Sequence, residues 1–246
     1  MILFPAVDIR DGKAVRLTQG DYGREQIYND DPLSAAVDWV SQGATHLHVV
    51  DLDGALHGER RNIEHLRRIV VETGVPVQYG GGLRDIESVH AAFEAGAWRT
   101  VIGTAAFRDR TLVERAVDDF SDRIVVSADA RDGRISAQGW TEATDIPVTD
   151  AVADLHAIGV QTFVYTDIAR DGMLDGQDLA GIRDVATAAG SGSVVASGGV
   201  GTLDHLAALV ELKVSNISAV IAGKALYERN FTIAEARAVL EDTSRT

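Results

Sequence analysis

Short apolar runs alternate with helix-length amphipathic stretches from one end of the chain to the other. Period and length predict strands over Ile2 to Val7, His46 to Val50, Val75 to Tyr79, Thr100 to Ile102, Ile124 to Ala128, Thr162 to Thr166, Ser193 to Ser197 and Ala219 to Ala222. Helices are expected over Pro32 to Gln42, Ile63 to Thr73, Ile86 to Ala95, Leu112 to Asp119, Val148 to Ile158, Leu179 to Ala189, Leu203 to Leu212 and Ile233 to Glu241. Asp31-Pro32 and Thr202 stand where helices should start, and Gly43, Gly74, Gly96, Gly159 and Gly190 stand where helices should stop. Several strands are apolar on both faces, as needed when helices cover one side and packed side chains fill the other. Eight strand–helix units in 246 residues predict an α/β fold, a single closed (β/α)8 barrel. An open doubly wound sheet is the alternative, but the glycine-rich fingerprint it would carry after the first strand is missing, and Asp8 stands there instead.

The chain also repeats itself. Asp8-Ile9-Arg10-Asp11-Gly12-Lys13 recurs as Asp129-Ala130-Arg131-Asp132-Gly133-Arg134, Val49-Val50-Asp51 as Tyr165-Thr166-Asp167, Gly81-Gly82-Leu83 as Gly198-Gly199-Val200, and Gly103-Thr104 as Gly223-Lys224. The offset stays near about 120 residues, far beyond the roughly 20 to 50 of a solenoid. The expected organisation is therefore one barrel domain over 1–246, built from two related (β/α)4 halves of approximately 1–123 and 124–246.

In such a barrel the chemistry gathers at the C-terminal ends of the strands. Asp8 is expected at the end of the first strand and Asp129 at the end of the fifth, across the mouth from each other. A lone strand-end aspartate could simply cap a loop or pair with Lys13 or Arg131, whereas two facing carboxylates suit general acid–base work. Gly81, Gly82, Gly103 and Thr104 in one half, and Gly198, Gly199, Gly223 and Lys224 in the other, let backbone amides come close to an anion. Isolated glycine pairs are usually plain turns, but their paired placement points to two phosphate grips and a substrate phosphorylated at both ends. Arg16 is a candidate for a phosphate or carboxamide contact, or a solvated loop arginine. Thr166 and Asp171, with Gly172, are expected to organise the mouth, and His48 to be a packed, hydrogen-bonded histidine.

Charge and composition narrow the partners. The net charge is −14, and lysine occurs only at positions 13, 213 and 224. Such a surface repels nucleic acid and anionic membranes, while a small anion held by local amides stays possible. Lysine-poor acidity also fits work at high salt. There are no cysteines, so disulfides, thiolate metal sites and a cysteine base are excluded. No metal-ligand spacing stands out, and no cofactor is expected. The lack of a long apolar run or a basic leader predicts a cytoplasmic protein, and the patch-poor charged surface predicts a monomer.

The residues also resemble a known family along the whole chain. The matching stretches are Phe4-Pro5-Ala6-Val7-Asp8-Ile9, Val15-Arg16-Leu17-Thr18-Gln19-Gly20, His46-Leu47-His48-Val49-Val50-Asp51-Leu52-Asp53-Gly54-Ala55, Gly80-Gly81-Gly82-Leu83-Arg84, Gly103-Thr104-Ala105-Ala106, Asp167-Ile168-Ala169-Arg170-Asp171-Gly172 and Gly223-Lys224-Ala225-Leu226-Tyr227. The chain resembles the phosphoribosyl-formimino-aminoimidazole carboxamide ribotide isomerases of histidine biosynthesis. That resemblance implies a TIM barrel that converts a bisphosphorylated aminoaldose to an aminoketose without metal or organic cofactor. It places Asp8 at the proton-acceptor position and Asp129 at the proton-donor position, and favours Trp140, in Gln138-Gly139-Trp140-Thr141, as a lid that stacks on the imidazole. The cyclase of the same pathway is the nearest rival, but Pro5-Ala6-Val7 precedes Asp8 where that family commonly has a cysteine. A dual-substrate isomerase that also takes phosphoribosylanthranilate, and a non-catalytic phosphosugar-binding barrel, stay open as alternatives.

Overall fold

A computed structural model of the chain describes residues 1–58, 61–137, 140 and 142–241, with the backbone alone at 137, 142 and 143. Eight parallel strands close into a barrel: β1 (Ile2–Arg10), β2 (Leu47–Asp51), β3 (Val77–Gly80), β4 (Arg99–Ile102), β5 (Ile124–Arg131), β6 (Thr162–Asp167), β7 (Ser193–Ser197) and β8 (Ile217–Ala222). Each strand pairs in parallel with the next, and β8 returns to β1 through Ile2 opposite Ala219 and Phe4 opposite Ile221. The helices lie between the strands in sequence, as eight βα units require.

Side chains alternate across each strand, so one set points outward to the helices and the other fills the barrel. Leu3, Val7 and Ile9 belong to the outer core with Trp39, Leu66 and Ile69, whereas Phe4, Ala6, Val101, Val125, Val164, Val195, Ala219 and Ile221 form a separate inner cluster. The next inward position along each of these strands is polar or glycine: Asp8 after Ala6, Ser127 and Asp129 after Val125, Thr166 after Val164, Ser197 after Val195, Gly103 after Val101 and Gly223 after Ile221. Above this filling, in which the buried His48–Gln78–Arg99 set sits beside the hydrocarbon, the strands turn polar at one height, and that level is the floor of a site.

Strand bounds shift by a few residues, and two strands run further than the sequence pattern predicts. β1 continues to Arg10 and β5 to Arg131, because each enters an antiparallel hairpin that single-strand periodicity does not reveal. After β1 the hairpin is Lys13–Thr18 with Asp21–Asn29; after β5 it is Arg134–Ala137 with Glu142–Pro147. Both open with an Asp-Gly turn in the left-handed region, at φ 47° and 72° for Asp11 and Gly12 and at 51° and 73° for Asp132 and Gly133. Asp8 and Asp129 therefore lie inside extended strands rather than at their ends. The helix starts match the sequence: Asp31 accepts from Leu33 N and Thr202 from His205 N. Short helices at Leu52–His57 and Lys224–Tyr227, and a 3₁₀ turn at Thr104–Phe107, are additional.

Candidate active site

Asp8 pairs in register with Val15 of the first hairpin, which brings the next residue, Arg16, over the same mouth. Arg16 Nη1 donates to Asp8 Oδ2 at 2.7 Å, and both side chains are largely buried. This is a correction to the loop placement of Arg16 and to the pairing of Asp8 with Lys13. Arg16 is a strand residue locked on the carboxylate, while Lys13 points out to Asp30 at 2.7 Å. Burial pushes the Asp8 carboxyl up to about 6, against the pull of Arg16 and with a further push from Asp171. Burial opposes the Arg16 charge, yet Asp8 and Asp171 hold its pKa above the ordinary guanidinium value.

Asp129 stands four strands away in a ring of eight, on the opposite wall. Ser127 Oγ donates to Oδ1 at 2.6 Å and Trp140 Nε1 to Oδ2 at 2.9 Å. Thr166, its register partner on β6, adds a third side-chain hydrogen bond. Burial raises the Asp129 pKa, and these three donors work in the other direction. Asp171, in the loop after β6, lies between the two walls in electrostatic terms. Burial raises it as well, with Arg16 and Lys224 opposing and Asp129 reinforcing. Three carboxyls with raised pKa values in one mouth are an arrangement suited to proton transfer.

The loops interlock above this floor. Gln19 N donates to Asp171 O at 3.0 Å and Gln19 Nε2 to Ala169 O at 2.8 Å, which ties the first hairpin to the loop after β6. Trp140 takes φ 74°, and its ring lies against Gly20, where a Cβ would collide with it. Residues 138, 139 and 141 of the tryptophan motif lie outside the described residues. Arg16, Asp171, Gly172, Ser197, Gly198, Gly199, Gly223 and Lys224 line one small pocket, with Lys224 Nζ donating to Gly172 O at 3.1 Å. The Arg16 guanidinium lies directly over Gly223, in space that a side chain at 223 would deny it.

The glycines of the other half are placed differently. A Cβ on Gly81 would strike Asp51 O and one on Gly82 would meet Gly54 O at 2.5 Å, so both pack against the β2 turn. A Cβ on Gly103, just before Thr104, would meet nothing within 4 Å. The buried Asp51 accepts from Gly54 N at 2.7 Å and from Asn62 Nδ2 at 2.7 Å, and Asn62 Nδ2 also reaches Asp53 at 2.7 Å. That set stiffens the β2 loop instead of reaching the mouth.

His48 is packed and hydrogen-bonded. Arg99 Nε donates to Gln78 Oε1 at 2.7 Å. Arginine cannot accept, so the Gln78 amide nitrogen must face His48 Nδ1, 2.8 Å away, and the imidazole proton sits on Nε2. Burial, with Arg16 and Arg99 nearby, pushes His48 down to about 3, so it is neutral. Sequence reasoning missed Ser127, Ser197 and the Arg99–Gln78 pair. Ser127 had a usable signal: it lies two residues before Asp129, on the same face of one strand.

The chain matches the family model described as histidine biosynthesis protein over residues 2–232. It is 45% identical over 96% of its length, and 94% of the relative's, to the 1-(5-phosphoribosyl)-5-((5-phosphoribosylamino)methylideneamino)imidazole-4-carboxamide isomerase of Brevibacillus brevis. The chain belongs to that isomerase family. Proteins with the same designation from Moorella thermoacetica and Desulfosudis oleivorans are 42% and 44% identical, covering 98% and 97% of this chain and 99% and 95% of theirs. Membership makes the chain an isomerase of histidine biosynthesis and sets the cyclase and the non-catalytic binding barrel aside. No helix among the described residues is long and apolar enough to cross a membrane.

Proposed function

We propose that the chain catalyses the Amadori rearrangement of N'-(5'-phosphoribosyl)formimino-5-aminoimidazole-4-carboxamide ribotide to its phosphoribulosyl product, with Asp129 as general acid and Asp8 as general base. The observation that carries this reading is the placement of two buried carboxyls of raised pKa on opposite walls of one mouth. Asp129 gives a proton to the ring oxygen, and the C1–oxygen bond breaks to leave a protonated imine. The imine acidifies the C2 hydrogen, which Asp8 removes. The resulting enaminol gains a proton at C1 and loses its O2 proton to become the aminoketose. Each positioned acid or base contributes about 100- to 10,000-fold.

The printed names of the relatives carry two phosphoribosyl groups, which supports a substrate with a phosphate at each end. One phosphate fits the pocket of Gly172, Gly198, Gly199, Gly223 and Lys224; the other is assigned to the side of Gly81, Gly82, Gly103 and Thr104, where Gly103 leaves open space. Arg16 holds Asp8 ionised and is placed to move onto substrate, and Trp140 is the lid over the imidazole. Incubating pure protein with the bisphosphorylated aminoaldose, without ammonia or metal, should shift the ultraviolet spectrum to that of the ketose. No turnover under those conditions would overturn the proposal. Turnover of phosphoribosylanthranilate in a parallel reaction would extend it to two substrates.

A further inference from the structure

The barrel has a second cavity, at the end opposite the mouth. Its volume is about 300 Å³, within the range of a small-molecule site. Arg99, Thr162 and Ser193 are the first residues of β4, β6 and β7, and Arg123 immediately precedes β5, so the cavity is bounded by strand N-termini.

Arg99 is the unusual component. Its residue is only 9% exposed, yet it has no carboxylate partner among the described residues. Its Nε is committed to Gln78, and its guanidinium lies over the rings of Trp98 at 4.4 Å and Phe4 at 5.2 Å. The π faces help to keep the cation in place. Among the described residues the terminal nitrogens have no protein acceptor. An unpaired charge on a largely buried residue is costly, and such a cation ordinarily has an anion to meet. Burial pushes Arg99 down to about 10, which still leaves it charged at neutral pH.

The surroundings suit an anion. Arg123 is pinned by donation to the carbonyls of Trp98 and Ala97 at 2.8 and 2.9 Å, and it too makes no ion pair among the described residues. Thr162 is 6% exposed and lines the cavity, which puts a hydroxyl donor on its wall. Among the described residues Asp122 is the one carboxylate on the lining, and it belongs to an exposed residue. In a chain of net charge −14, two arginines that make no ion pair among the described residues around one pocket, against one lining carboxylate, leave a local excess of positive charge.

We propose that this cavity is a binding site for a small oxyanion, with the terminal nitrogens of Arg99 and the hydroxyl of Thr162 as its donors and Arg123 supplying further positive charge. The site is separate from the mouth and does not depend on the activity assigned there.

The three tryptophans allow a direct test, since Trp98 borders this cavity, Trp140 borders the mouth and Trp39 packs under the helices. Indole N–H resonances of 15N-labelled full-length protein would be followed during titration with inorganic phosphate, and with KCl at matched ionic strength. The Trp98 signal should move in a saturable way with phosphate and not with KCl. Thr162→Val should weaken that binding, and Arg99→Gln should weaken it about tenfold or more, the effect of a lost charged hydrogen bond. The Thr162→Val variant keeps the shape of the side chain if Arg99→Gln fails to fold. A Trp98 signal that stays still, moves equally with KCl, or tracks the Trp140 midpoint and is unchanged by Thr162→Val would overturn the proposal.

Discussion

Asp8 shows how one side chain's environment fixes its chemistry. Its carboxyl is surrounded by barrel wall, which favours the neutral form, while Arg16 at 2.7 Å favours the charged one, and the balance falls at about 6. A general base must be ionised, so kcat/KM should fall as pH drops through about 6, and a pH–rate profile reads this directly. Arg16→Gln removes the positive charge that lowers the Asp8 pKa, and the acidic limb should move to higher pH. A limb that stays in place would separate Asp8 from proton abstraction. Asp8→Asn keeps the shape and abolishes proton transfer, with an expected loss in kcat of about 100-fold or more at nearly unchanged substrate binding. The two aspartates are legible in the sequence as a repeated motif. Their partners are less so: Arg16 reads as a loop residue until the hairpin folds it back, and Trp140 reaches Asp129 from eleven residues away along the chain.

The elements around the mouth work as braces. Gly199 illustrates the tolerance: it takes φ 76°, its carbonyl accepts from Gly176 N at 2.9 Å, and a Cβ would run into Gly176 O. Gly199→Ala combines left-handed strain with that clash and should cost about 1 to 3 kcal/mol. Thermal unfolding should show a fall in Tm of about 3 to 10 °C, and an unchanged Tm would mean that the β7 turn relaxes freely. The glycines of the other half differ in role. Gly81 and Gly82 are close-packed against the β2 turn, whereas Gly103 borders open space. The sequence shows that glycines recur; it does not show which are there for packing and which for access, because both demand the same missing side chain. The hairpins after β1 and β5 escape sequence analysis for a related reason. Their strands are rich in polar residues and their pairing is broken by register shifts, so no period stands out from loop.

At the scale of the molecule, the acidic surface and the barrel follow separate rules. A net charge of −14 on 246 residues means self-repulsion, which salt screens. Tm should rise between low and molar KCl, and a flat response in differential scanning fluorimetry would remove the link between this surface and high-salt conditions. The matching Asp-Gly turns and hairpins that follow the first and fifth strands support the proposal that 1–123 and 124–246 are related halves.

The alternation of strands and helices, the inward and outward faces, the helix caps and the two motif-bearing aspartates were all set by local chemistry, which is why the chain order alone carries them. Closure of the barrel decided the rest. Only when β8 pairs with β1 do Asp8 and Asp129 come to face each other, with Arg16 on the one and Trp140, Ser127 and Thr166 on the other. Only then does Arg99 change from one arginine among twenty-three basic residues into a largely buried charge beside an open cavity. Burial and partner geometry depend on residues far apart in the chain, and pKa values follow from both, so they belong to the folded molecule and not to the string of letters.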